Sequence, residues 1–106
     1  MSSRKEMDIV KDIVIAEVHT WAKRIGVEER LNRINIRPMK RKWASISTKG
    51  NLTLNEELLR KPAHFRHKVI VHELVHLKLM SGSHNKLFKL LVKAYLEKYG
   101  IQDEEI

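Results

Sequence analysis

Apolar residues near the start of the chain fall at Met7, Val10, Val14, Val18, Trp21 and Ile25, in steps of three and four. That spacing predicts an amphipathic helix with one buried stripe, opened by the capping-box spacing Ser3-x-x-Glu6 and stopped at Gly26. The period then changes to two. Ile34 and Ile36 alternate with Arg33, Asn35 and Arg37 ahead of Pro38. Trp43-Ala44-Ser45-Ile46-Ser47 and Leu52-Thr53-Leu54-Asn55 alternate on either side of the turn residues Thr48-Lys49-Gly50-Asn51. Three short strands follow from this pattern, the last two paired as a hairpin whose edge is open to a further strand. Glu56 to Lys61 predicts a turn of helix, and Pro62 suits the start of the next one. Helical spacing returns from about His64 to Met80, where Ser81-Gly82-Ser83 breaks it. A last helix from His84 carries Leu87, Phe88, Leu91, Tyr95 and Tyr99 inward and Lys86, Lys89 and Lys93 outward, ending at Gly100. The acidic tail Asp103-Glu104-Glu105 is expected to fray.

These elements describe one α+β domain of 106 residues. A small antiparallel sheet of three strands (residues 31–55) packs against an N-terminal helix (1–26) and two helices (63–99). The apolar runs are too short to span a bilayer and Lys11 and Asp12 interrupt any signal-peptide core, so a cytoplasmic protein is expected. The chain has no cysteine, which excludes disulfides and thiolate metal sites and leaves histidine and carboxylate as ligands. The net charge of +8 is uneven: Arg30 to Asn55 holds seven basic residues and no acidic one. Such a stretch fits a nucleic acid or another polyanion, or is simply a solvated basic face.

The run from Val69 to Met80 is apolar except for His72, Glu73, His76 and Lys78. His72 and His76 lie one above the other on a helix, so both imidazoles can grip one ion, with Glu73 about 100° further round. This is the H-E-x-x-H pattern of metal-assisted hydrolysis, in which the glutamate acts on a water. The bland alternative, a buried helix with satisfied histidines, leaves a carboxylate buried without a partner at a cost of several kcal/mol. A catalytic zinc takes three protein ligands. His84, just after the glycine-containing turn, is the first candidate for the third, and Glu97 is its rival. Glu97 also follows Lys93 at the spacing of an exposed ion pair. His19, His64 and His67 have no partner at ligand spacing; His19 is expected at the surface or in packing, and His64 and His67 at the surface.

Several further segments resemble one family in order along the chain. They are Lys42-Trp43-Ala44-Ser45, Gly50-Asn51-Leu52-Thr53-Leu54-Asn55, Pro62, Val69 through Leu77, and His84-x-x-x-Phe88. Together they resemble the YgjP-like and WLM/SprT-like group of minimal zincin metallopeptidases. The family commonly has Gly and Cys where this chain has Ala44 and Ile46, and a shorter gap between His76 and His84. The resemblance implies a minimal zincin-like fold and one zinc per chain held by His72, His76 and His84. It also implies Glu73 as general base in peptide hydrolysis.

Trp43, Ser45 and Lys42 are the expected substrate-binding residues, with a peptide added as a strand along the hairpin Trp43–Asn55. Two other functions stay open on sequence. One is a metal-dependent nucleoside triphosphate or phosphoanhydride hydrolase that holds phosphates with Arg37–Lys42, although no Walker-type loop is present. The other is a non-catalytic, zinc-stabilised module that binds nucleic acid or protein, in which Glu73 would have no task. Tyr95 and Tyr99 have the chemistry of an oxyanion partner but sit where core packing is expected.

Overall fold

The computed structural model describes residues 4–102, so the cap expected at Ser3 and the tail Asp103-Glu104-Glu105 lie outside the described residues. In chain order the elements are α1 (Arg4–Ile25), β1 (Arg33–Arg37), β2 (Ala44–Ile46), β3 (Asn51–Asn55), a 3-10 turn (Glu56–Arg60), α2 (Ala63–Leu79) and α3 (Lys86–Lys98). The N-terminal stripe behaves as its spacing requires: Val14, Val18, Trp21 and Ile25 are buried, with Met7 and Val10 half-buried at the open end. Gly26 takes the left-handed conformation (φ 84°) that ends α1. The Lys78 ammonium then donates to the Ile25 carbonyl, left over at the helix end, at 2.8 Å, fastening the end of α1 to the end of α2.

The sheet is mixed, not antiparallel throughout. Its order is β1-β3-β2, with β1 parallel to β3 and β2 antiparallel to it. Alternation in the sequence sets which residues share a face and is silent on which strand neighbours which. Two tertiary contacts decide the order. The N–H groups of Asn32 and Arg33 donate to the Gly50 carbonyl at 2.8 and 3.3 Å, which ties the entry of β1 to the hairpin turn. That turn needs glycine, because a Cβ on Gly50 would lie 1.8 Å from the Arg30 carbonyl oxygen. At the other end the Asn55 side chain is buried, and its Nδ2 donates to the Met39 and Lys42 carbonyls at 3.0 and 2.8 Å. The excursion between β1 and β2 is thereby held outside the sheet. The result makes β3 the central strand, so Leu52–Asn55 is no edge, and leaves β2 as the exposed border of the hairpin.

Leu52, Leu54, Ile70, Leu74, Val71 and Val75 join the α1 stripe in the core. Pro62 caps α2 from just outside it, and Met80 closes it in a left-handed conformation (φ 52°). Asn85 caps α3, its Oδ1 accepting from the Phe88 N–H at 3.0 Å, so His84 sits in the loop ahead of this helix rather than on it. Phe88 and Leu96 are the buried residues of α3, whereas Leu87, expected inside, is 53% exposed. Leu87 and Phe88 are about 100° apart on a helix, and only the direction of Phe88 meets α2. His67 also departs from expectation, since it packs edge-on to the buried Trp21 at 5.7 Å. No described helix is long and apolar enough to cross a membrane.

Candidate metal centre and active site

α2 presents His72 and His76 on one face, and the loop Ser81–Asn85 swings His84 back over them. His84 Nε2 lies 3.1 Å from His76 Nε2 and 3.2 Å from His72 Nε2. The three ligand atoms fall within 4.8 Å of one another. An imidazole nitrogen carries at most one proton, so His84 Nε2 can hydrogen-bond one neighbour but never both. A metal ion meets all three lone pairs at once. With zinc–nitrogen bonds of 2.0–2.1 Å the tetrahedral nitrogen–nitrogen edge is about 3.3 Å, near the two separations that His84 makes. The donor set therefore fits a divalent metal such as zinc.

The surroundings favour the neutral ligand form. Burial pushes the His72 imidazole down to about 4, helped by repulsion from His76 and His84. Burial also lowers His76, against the Ser81 carbonyl, which lies 2.9 Å from its Nδ1 and favours the proton there. With the proton on Nδ1, the Nε2 lone pair faces the cluster. Phe88 stacks on the His76 ring at 4.2 Å and meets the edges of His72 and His84 at 4.9 and 5.1 Å, walling the site with apolar surface. Glu97 is elsewhere: it is exposed and faces Lys93 at 4.0 Å.

Glu73 sits at the junction of two chambers between β2 and α2. One is lined by Trp43, Ala44, Lys68, Val69, His72 and Glu73. The other runs past Ile46, Glu73, His76, Leu77 and Met80 to Ser81 and Gly82. Burial raises the Glu73 carboxyl to about 7, with the nearby charge of Lys42 pulling the other way. A carboxyl poised there can both accept and return a proton near neutral pH.

The other expected site residues divide. Trp43 is 37% exposed and packs edge-on against Phe65 at 5.0 Å, so it forms a cleft wall. Lys42 stands just before it, within electrostatic reach of Glu73. The Ser45 side chain lines neither chamber, because Ala44 and Ile46 are the residues of β2 that turn toward α2. Tyr95 and Tyr99 are remote: the Tyr95 hydroxyl donates to the Ile25 carbonyl at 3.4 Å and Tyr99 packs on Trp21 at 5.3 Å. Two contributors carried no signal of their own. Ser81 orients His76 through its backbone, which any residue offers, and Asn55 acts across the fold on a turn more than ten residues earlier.

Comparison with known proteins agrees with this geometry. A profile of the YgjP-like metallopeptidase domain matches residues 4–106. An uncharacterized protein of Methanocaldococcus jannaschii, MJ0123, is 33% identical over 101 residues, covering 93% of this chain and 84% of that one. The crystal structure of the metallopeptidase zymogen of M. jannaschii jannalysin superposes with a TM-score of 0.70 at 30% identity, covering 77% of this chain and 80% of that one. The metallopeptidase zymogen of Pyrococcus abyssi abylysin gives 0.68 at 27% identity, over 76% of each chain. A helix that carries two histidines and a glutamate, a third histidine folded back over them, and this match along nearly the whole chain place the protein in the YgjP-like metallopeptidase-domain family, as a metal-dependent peptidase.

Proposed function

We propose that the chain is a zinc peptidase with one ion per chain, held by His72, His76 and His84, and with Glu73 as the general base. The convergence of three imidazole nitrogens beside a raised carboxyl carries this reading. A zinc ion in that position supplies a Lewis acid, which acidifies water and polarises a carbonyl. The remaining work belongs to the chain. Glu73 takes the proton from the attacking water as its oxygen adds to the peptide carbonyl carbon. As the C–N bond breaks, the same carboxyl hands that proton to the departing amine nitrogen. Ser81 holds the His76 ring in one orientation and tautomer, and Phe88 keeps water off the back of the cluster.

The free edge of β2 positions the substrate. The Asn55 N–H donates to the Trp43 carbonyl at 2.8 Å and the Ser47 N–H to the Asn51 carbonyl at 3.1 Å, so residues 43, 45 and 47 spend their backbone groups on β3. Ala44 and Ile46 then point theirs away from β3, toward an added strand. Their side chains line the two chambers on either side of Glu73. A peptide paired there lays its backbone across the site. Phosphoanhydride hydrolysis lacks support of this kind, since Glu73 is the one carboxylate lining either chamber and a magnesium–nucleotide site needs more.

The test is cleavage of an unfolded protein by zinc-loaded wild type and by Glu73→Gln. The expected result is cleavage by wild type and loss in the variant with zinc retained. Equal activity in both would remove Glu73 from the chemistry. Turnover of nucleoside triphosphates with no peptide cleavage would remove the peptidase reading itself.

A further inference from the structure

The two chambers differ in charge. The one beside Ile46, Leu77 and Met80 has no lysine or arginine in its lining. The one beside Trp43 has Lys68 in its lining, and Lys61 and Lys42 stand by its Trp43 wall. Lys68 lines it although only 8% of its surface is exposed. Lys61 holds its ammonium 5.4 Å from the Trp43 ring centre and 5.8 Å from that of Phe65. Lys42 precedes Trp43 and acts on the Glu73 carboxyl. Glu73 is the one carboxylate in the chamber's lining.

This arrangement is anchored. The buried Asn55 amide holds the carbonyls of Met39 and Lys42, and the Asn55 N–H holds that of Trp43. One residue of the central strand thus sets the backbone of both Lys42 and Trp43. An incoming anion gains from the positive charge that Lys42 and Lys61 place beside Trp43. The backbone of Lys42 and Trp43 is already fixed, so side-chain ordering is what remains to oppose binding. The chamber has a volume of about 380 Å³, enough for a side chain of glutamate size.

We propose that this chamber is a specificity subsite for a carboxylate of the peptide substrate, with Lys42 and Lys61 as the specificity-determining residues. The inference rests on the peptidase reading above and names its substrate class: peptides acidic on the Trp43 side of the scissile bond and apolar on the Met80 side. The carboxylate comes from an aspartate or glutamate side chain or from the peptide's own C-terminus.

The experiment uses the zinc-loaded full chain and internally quenched peptides that differ by Glu or Gln at each position around the bond, each with a free or amidated C-terminus. Glu is expected to exceed Gln about tenfold in kcat/KM at a position on one side of the bond, chiefly through KM, as a charge-assisted contact requires. The ratio should shrink as salt is raised. Preference for the free acid over the amide in short peptides, with no Glu effect, assigns the subsite to the terminal carboxylate instead. Lys42→Glu should invert the preference toward Lys, and Lys61→Ala should compress it. Both lysines are exposed, and zinc content reports that the variants fold. Equal cleavage of Glu and Gln, free-acid and amidated peptides would overturn the subsite and leave the peptidase reading standing. No cleavage of any peptide would overturn both. Salt-sensitive binding of single-stranded DNA that is lost in Lys42→Glu, without any carboxylate preference, would also overturn it and make the basic turn a nucleic-acid surface.

Discussion

The Nδ1 of His76 lies 2.9 Å from the carbonyl oxygen of Ser81, the second residue past the end of α2. That contact sets the His76 proton on the side away from His84, so the cluster is arranged before any ion arrives. Removing one of the three proposed ligands should cost most of the affinity. His72→Ala, His76→Ala and His84→Ala are each expected to retain well under one zinc per chain by metal analysis after dialysis, while Glu97→Ala retains a full one. Full occupancy in His84→Ala would end its role as third ligand.

Glu73 gives a prediction that needs no substrate. Its carboxyl ionises at about 7 in the metal-free fold against an ordinary 4.5, because burial opposes the charge. A raised carboxyl pKa means that stability is lost as pH climbs through that interval. Each unit is worth about 1.4 kcal/mol, so the ionised group costs the metal-free fold on the order of 3 kcal/mol at pH 8. Metal-free Glu73→Gln should therefore melt above wild type at pH 8, and the gap should close on acidification toward pH 4.5, where both side chains are neutral. Thermal unfolding in chelator at the two pH values measures this. A variant no more stable than wild type at pH 8 would contradict the burial of that charge.

The residues around α2 show what sequence reveals and what it hides. His72, Glu73 and His76 were legible because helical period alone puts them together. His84 was legible because a short turn brings the chain back upon itself. β1 pairs parallel to β3, although β2 lies between them in sequence, because Gly50 fastens the entry of β1 and Asn55 holds the excursion that follows it; neither contact has a local signature. Leu87 misled because α3 carries leucines on more than one face, and Leu87 and Leu90 are both exposed. His67 misled because its neighbours, Trp21 and Glu17, come from a helix far earlier in the chain.

That last group makes an ion pair with a testable pH window. Arg66 holds Glu17 with two donors, Nε to Oε1 at 2.9 Å and Nη2 to Oε2 at 2.7 Å, with side chains only 12% and 16% exposed. His67 approaches Oε2 at 3.1 Å but off the axis of a hydrogen bond. Burial raises the Glu17 pKa, yet the hydrogen bonds from Arg66 and the nearness of His67 outweigh it and leave the group below 4.5. A depressed carboxyl pKa contributes stability above the unfolded value of 4.5, and that contribution fades as pH falls through the folded value. Glu17→Ala should cost about 2–3 kcal/mol at pH 7, since it also strands the Arg66 charge. The deficit against wild type should narrow below pH 4. Urea unfolding across pH 3–7 reads both effects, and a deficit unchanged at pH 3 would show that packing, not the pair, is lost.

The register of β2 separates two prolines one residue apart. Ser45 opposite Thr53 directs its N–H into the hairpin, whereas Ile46 opposite Leu52 directs its N–H outward. Proline at Ser45 should therefore damage the fold. Proline at Ile46 should leave the hairpin paired and remove a donor that a bound peptide needs. The expected result is that Ile46→Pro binds zinc and melts near wild type but loses most peptide cleavage, while Ser45→Pro is destabilised outright. Because the new ring also changes the chamber beside Leu77 and Met80, a substrate-side test is needed. Peptides N-methylated at single positions keep the side chain and lose one backbone donor. Cleavage by wild type should fall sharply for methylation at alternate residues and little at those between, the period of two that strand pairing imposes. Uniform tolerance of methylation, together with an active Ile46→Pro, would show that the substrate is not held along this edge.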